Sequence, residues 1–263
     1  MGLGKTLQTI SFMLYLKNTL GVKGPYLIVC PLSIYDTWRG EIQNFAPSLG
    51  IFEYIGNKEE RQLLRDNLVD FVNDLPKTQR SDPPFLFDIF LTTYDLLNMD
   101  VEFFHQFKFK FLALDEASKL KSSKSLTYQN LISLKCPHRL LLTGTPIQNN
   151  LKELFSLLHF IEPKLFSDED LFLEAFNFKA SSRDQNKVTS LQQVLKPFVL
   201  RRVKSEVVPE LAEKKEFTMY VGMSALQKKY YKAILCQDIS YFETGNRTKL
   251  MNVMVFYFIL FGL

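Results

Sequence analysis

The feature that most constrains this chain is a set of short apolar runs that do not alternate with polar residues. The clearest is Tyr26-Leu27-Ile28-Val29-Cys30, and strand character returns at Phe87-Asp88-Ile89-Phe90-Leu91, Phe111-Leu112-Ala113-Leu114 and Arg139-Leu140-Leu141-Leu142. A strand with one wet face alternates, whereas a strand covered on both faces is apolar throughout, as in a parallel sheet. Ile51-Phe52-Glu53-Tyr54-Ile55 reads as a further strand. Helical spacing fills the gaps. Leu7, Ile10 and Leu14 recur on one side, as do Trp38, Ile42 and Phe45; Lys58 to about Asn73 is charged and amphipathic, and Leu126 to Leu134 follows the same period. The stretch Asp74 to Pro84 is polar with prolines and reads as a surface loop. Strands alternating with helices predict an α/β fold with a parallel sheet and crossover helices.

From Leu151 the pattern becomes helical, with helices expected over Leu151 to Ile161 and Asp168 to Phe178. A polar loop is expected near Ser181 to Lys187, then Leu191 to Leu200, the basic Arg201-Arg202-Val203-Lys204, and a helix from Ser224 to about Phe242 carrying Tyr230, Ile234 and Tyr241. With 263 residues and 46% hydrophobic content, the chain can bury one good core and part of a second. A net charge of +4 permits nucleic-acid contact through local patches without demanding it. Cys30, Cys136 and Cys236 are far apart and make no ligand pair with His105, His138 or His159. Neither a disulfide framework nor a metal-ligand cluster is expected, which suits a reducing compartment. The apolar run Val253 to Phe261 falls short of the roughly 20 residues a spanning helix needs. It reads as a buried segment or an aberrant end, with a membrane-interacting tail as the other reading, and no membrane partner is expected.

The residues that carry chemistry begin at the amino terminus. Gly4-Lys5-Thr6 matches the end of the phosphate-binding pattern G-x-x-x-x-G-K-[ST], in which backbone N–H groups wrap phosphates, the lysine reaches the β and γ oxygens, and the hydroxyl holds Mg²⁺. The leading glycine of that pattern would stand ahead of Met1, with the strand that feeds the loop. A bare Gly-Lys-Thr also arises by chance, but here a helical repeat follows directly, as an anion site at a helix N-terminus requires. Asp115 and Glu116 follow a predicted strand, and ligands of parallel sheets gather at the carboxyl ends of strands. Such a pair suits nucleotide hydrolysis: Asp115 for the metal and Glu116 for the attacking water. A solvated turn capping the next helix is the alternative. Thr143-Gly144-Thr145-Pro146 opens onto the same edge.

The motif order then carries a resemblance. Met1 to Ile10, Cys30-Pro31-Leu32-Ser33 with Trp38, Leu91-Thr92-Thr93-Tyr94, Asp115-Glu116-Ala117-Ser118 with Lys119 to Lys121, and Leu141 to Asn149 together resemble the first RecA-like lobe of Swi/Snf-type helicase-like ATPases. The resemblance runs to about Val253. It implies a nuclear, ATP- and Mg²⁺-dependent motor that acts on duplex DNA and nucleosomes and needs a second ATPase lobe. Residues 1–162 would form the first lobe, 163–215 a helical insertion with the basic inter-lobe segment, and 216–263 the start of the second lobe. Carried over by position, Gly2, Leu3, Gly4, Lys5 and Thr6 form the nucleotide site. Lys5, Asp115 and Glu116 are catalytic, and Thr6 and Asp115 hold the metal. Pro31, Leu32, Ser33, Thr92, Thr93 and Tyr94 touch DNA, while Thr143, Gly144, Thr145 and Gln148 couple hydrolysis to lobe movement. Arg201, Arg202 and Lys204 fall in the basic inter-lobe segment or form a plain solvated face.

Departures from the family pattern shape two further expectations. Ser118 stands where the family has a histidine, and no Q-x-x-G-R sequence, which carries the family's second-lobe arginine, occurs in the chain. Without its feeding strand the sheet is expected to expose two unpaired edges in its middle, and the isolated chain to be poorly stable. It is expected to be a truncated fragment with little or no turnover; the alternative is a non-catalytic isoform that binds DNA or the intact remodeller.

Overall fold

A computed structural model describes residues 2–74, 87–144, 151–176, 185–207, 210 and 215–235. The chain divides into two compact units, Met1–Val207 and Val208–Leu263. In the first unit, strands β1 (Tyr26–Cys30), β2 (Ile51–Glu53), β3 (Ile89–Thr93), β4 (Phe111–Leu114) and β5 (Arg139–Leu141) form one sheet in the order β2-β3-β1-β4-β5. Every pairing is parallel, with Tyr26 opposite both Ile89 and Phe111.

The missing alternation in the sequence has a direct cause. Successive side chains of a strand point to opposite faces, and here both faces are covered. Leu27 and Val29 join Phe90, Leu112 and Leu114 in one core, while Tyr26, Ile28 and Cys30 join Ile89, Leu91 and Ala113 in another. Helices α1 (Lys5–Asn18) and α2 (Tyr35–Phe45) bring Ile10, Met13, Trp38 and Ile42 to the second core. On the other face, α3 (Lys58–Asp74), α4 (Tyr94–Met99), α5 (Val101–Phe104) and α6 (Leu126–Ser133) contribute Leu68, Leu97, Phe103, Phe104 and Leu131. Each large apolar side chain so buried stabilises the fold by about 1.5–3 kcal/mol relative to exposure.

Local signals set the helix starts. Asn57 and Glu60 form a capping box at α3, each side chain accepting from the other's backbone N–H at 2.9 and 2.7 Å. Thr93 and Ser125 cap α4 and α6 through their hydroxyls. The half-buried Arg139 of β5 donates to Ile132 O and Phe160 O, so it fastens the strand to α6 and to α7 (Leu151–Ile161). Helix α7 also opens a smaller core with α8 (Glu169–Phe176) and α9 (Gln185–Leu195), built from Leu154, Phe155, Leu158, Phe166 and Phe172. The one-turn helix α10 (Lys204–Val207) ends the first unit. In the second unit α11 spans Ala225–Leu235, and Ser224 with Gln227 makes a second capping box.

Several expectations need correction. The third strand starts at Ile89 rather than Phe87, because Asp88 is a corner: its Oδ2 accepts from Lys17 Nζ and Gly50 N, both at 2.9 Å. Phe45 is 57% exposed, and Tyr35 takes its place on the buried face of α2. The polar stretch near Lys187 is already helical from Gln185. The middle of the sheet carries no unpaired edges: all five strands are hydrogen-bonded neighbours, and among the described residues the unpaired sides are the outer ones of β2 and β5. Most of the loop expected over 74–84, the rest of the helix expected to reach Phe242 and the apolar run at 253–261 lie outside the described residues. Among the described residues no helix is long and apolar enough to cross a membrane.

Candidate functional site

The site lies along the carboxyl-terminal rim of the sheet, and the direction of α1 places the glycine loop there. Phe12 packs edge-on against Phe111, the first residue of β4, at 5.4 Å between ring centroids, and Lys17 reaches Asp88 just before β3. The carboxyl-terminal half of α1 therefore lies at the start of the strands, and its amino terminus lies where they end. Gly2 (φ 76°) and Gly4 (φ 73°) are both left-handed, a conformation that costs a residue with a Cβ about 1–2 kcal/mol. Gly4 caps α1 without a side-chain hydrogen bond, and the first turn holds no acidic residue. The first-turn N–H groups precede the helical ladder, so this end is an open, positively polarised cradle. Lys5 and Thr6 are half-buried beside it, and Lys5 forms no ion pair among the described residues. The cradle is braced by Gln8, whose Nε2 donates to Leu3 O at 2.9 Å while its Oε1 accepts from Arg202 Nη1 at 3.0 Å. A methyl group built on Gly2 would meet Lys204 Nζ at 3.6 Å, so two cations of the basic segment sit beside the loop.

Asp115 and Glu116 follow β4 directly. Asp115 is 6% exposed, and every atom that can be held is held. Its N–H donates to Val29 O at 2.9 Å, its carbonyl accepts from Tyr94 OH at 2.7 Å, Oδ1 accepts from Glu116 N–H at 2.8 Å, and Oδ2 accepts from Trp38 Nε1 at 2.9 Å. All of these partners are neutral. Glu116 is the one non-glycine residue with a left-handed backbone among the described residues, at φ 51° and ψ 51°. Strain of this kind, about 1–3 kcal/mol, gathers where a side chain must be aimed. Ala117 N–H donates to Leu142 O at 2.9 Å, which ties the acidic turn to the end of β5.

The remaining predicted residues divide sharply. Pro31, Leu32 and Ser33 form an open turn after β1, with Leu32 66% exposed. Thr92, Thr93 and Tyr94 are buried and their hydroxyls are engaged: Thr92 donates to Tyr54 O, Thr93 caps α4, and Tyr94 holds Asp115. Their side chains are therefore braces under the rim, not the DNA-facing hydroxyls expected of them. Thr143 and Gly144 stand half-buried after β5; Thr145 and Gln148 lie outside the described residues. The bonds from Trp38 and Tyr94 to Asp115 escaped the sequence reading, since no local pattern signals a partner 77 or 21 residues away. Burial pushes the Cys30 thiol, at the end of β1, up to about 12, with the Asp115 charge adding to the effect.

Comparison with known proteins adds the family. The chain is 44% identical to Chromodomain-helicase-DNA-binding protein 1-like of Danio rerio over 97% of its own length and 24% of that protein. It is 39% identical to the ISWI chromatin-remodeling complex ATPase CHR11 of Arabidopsis thaliana over 96% of this chain and 23% of that one. It therefore spans about a quarter of the length of these relatives. The solved Sulfolobus solfataricus SWI2/SNF2 ATPase core in complex with dsDNA shares its fold with a TM-score of 0.64 at 30% identity, covering 98% of this chain and 51% of that one. A parallel sheet with a glycine-led helix and an acidic pair on one rim, and a match to the SNF2-related domain over residues 1–261, together mean that this chain belongs to the SNF2-related domain family.

Proposed function

We propose that this chain is the first RecA-like lobe of an ATP-driven, DNA-dependent motor that remodels chromatin in the nucleus. The observation that carries the reading is the meeting, on one rim, of an open helix N-terminus preceded by left-handed glycines with a buried carboxylate that has no cationic partner among the described residues. A buried charge without a counter-charge is costly, and a metal-bound triphosphate would supply one. In this reading the N–H groups of Lys5 and Thr6 and the Lys5 ammonium bind the phosphates. Thr6 and Asp115 would hold Mg²⁺, which would supply neutralisation of the charge on the phosphate oxygens. Glu116, aimed by its left-handed backbone, orients the attacking water. The turn Pro31-Leu32-Ser33 offers backbone amides and a hydroxyl to DNA phosphates, contacts that position without reading sequence. Thr143, Gly144, Thr145 and Gln148 pass the state of the nucleotide to a second lobe through the Ala117–Leu142 tie. Turnover is low until a second lobe supplies its arginine.

The test uses the whole chain with a fluorescent ATP analogue. Lys5→Ala is expected to weaken binding about 10-fold or more, the loss of one charge-assisted contact. Duplex DNA is expected to bind with an affinity that falls steeply with salt. Absence of ATP binding, or binding indifferent to Lys5→Ala, would overturn the motor reading; salt-dependent DNA binding alone would leave the non-catalytic alternative.

A further inference from the structure

Two acidic side chains of this fold are held in opposite ways, and the contrast assigns a role to Trp38. Asp100 is surrounded by cations: Arg61 Nε lies 2.6 Å from Oδ2, Arg65 Nη1 3.1 Å from Oδ1, and Tyr54 OH adds a bond at 2.9 Å. Its charge is fully answered within the protein, as a structural ion pair requires. Asp115 is more deeply buried, yet among the described residues its carboxylate is held by the indole N–H of Trp38 and the backbone N–H of Glu116, with no cation beside them. Neutral donors fix where a carboxylate points without cancelling its charge. Each oxygen has a fixed donor on one side and keeps lone-pair capacity for another partner.

Trp38 is well made for this task. It is 1% exposed and packed in the core with Cys30, Leu91 and Ala113, so its ring cannot turn away. An indole has one N–H and no acceptor, so the bond has a single polarity. It reaches Asp115 from a helix 77 residues earlier in the chain.

We propose that Trp38 is a positioning residue for the divalent cation: its N–H locks Asp115 Oδ2 in the orientation that holds the metal, leaving the carboxylate charge for that metal alone. The inference rests on the nucleotide-site reading above and extends it to a residue outside the phosphate loop and the acidic pair. Partners that orient a ligating carboxylate typically change metal affinity 10–100-fold when removed.

The experiment measures how far Mn²⁺ tightens binding of a fluorescent, non-hydrolysable ATP analogue to the whole chain, as the ratio of affinities in Mn²⁺ and in EDTA. In the wild type Mn²⁺ tightens binding, and Asp115→Asn abolishes the gain. Replacing Trp38 by benzothienylalanine, which keeps the bicyclic shape and lacks the N–H, reduces the gain about 10-fold and leaves affinity in EDTA unchanged. Trp38→Phe gives the same direction with a lower melting temperature. Trp38 is the only tryptophan in the sequence, so paramagnetic Mn²⁺ with the analogue also quenches the wild-type indole emission. Equal losses in Mn²⁺ and EDTA, or an isostere that behaves as wild type, would overturn the role of Trp38 while leaving Asp115 as a ligand. No gain from Mn²⁺ in the wild type, or a gain that survives Asp115→Asn, would overturn the metal reading and this inference with it.

Discussion

The left-handed backbone of Glu116 concentrates strain at a single position. Its φ of 51° and ψ of 51° cost a residue with a Cβ about 1–2 kcal/mol. Its carboxylate makes no ion pair among the described residues, so removing it breaks no such contact. Glycine adopts this conformation freely but loses about 0.5–1 kcal/mol through its looser unfolded chain. Glu116→Gly should therefore stabilise the fold by about 0.5–1 kcal/mol, a rise in melting temperature of roughly 1–4 °C for a unit of this size. Glu116→Ala keeps the Cβ and the strain, so it should melt within about 1 °C of wild type. The assay is a thermal melt of the three proteins side by side, followed by circular dichroism. A destabilised Glu116→Gly would refute the claim that the backbone is strained. An alanine variant as stable as the glycine variant would trace the gain to the lost carboxylate instead of to φ.

Asp100→Ala should cost about 3 kcal/mol, the lower end for a broken buried pair because Asp100 keeps 17% of its side-chain exposure; denaturant unfolding reads it. Burial alone would raise the Asp100 carboxyl, but the bonds from Arg61 and Tyr54 and the charges of Arg61 and Arg65 outweigh it and hold it below its ordinary 3.8. A depressed carboxyl stabilises the fold above its unfolded value, so this contribution is present at neutral pH and is lost as pH falls below that range through the folded value. Wild type and Asp100→Asn should converge in stability there. Tyr94→Phe leaves the buried carbonyl of Asp115 without its donor and should lower stability by about 1–2 kcal/mol in the same assay. The Cys30 thiol, pushed up to about 12 by burial, should resist iodoacetamide at pH 8 in the folded chain and react once urea unfolds it, as mass spectrometry would show.

The sequence by itself determined the class of fold and marked which residues stand on its rim. Runs such as Tyr26–Cys30 and Phe111–Leu114 are apolar at every position because both faces of a parallel strand are covered, and that is a local, readable property. Gly4-Lys5-Thr6 and Asp115-Glu116 were legible for the same reason: contiguous residues act together on the end of one helix or one strand. Only the tertiary structure decided which hydroxyls face solvent. Thr92, Thr93 and Tyr94 sit on a motif that suggested an outward loop, yet Thr92 and Tyr94 are turned inward by partners brought close by the fold, Tyr54 and Asp115, while Thr93 is used locally to cap α4 at Leu96. It also decided that Asp88 is a corner and Asp100 an ion pair, while Asp115 is held by neutral donors. The same carboxylate reads identically in sequence at all three places; whether arginines, a lysine or an indole surrounds it depends on chain segments tens of residues away.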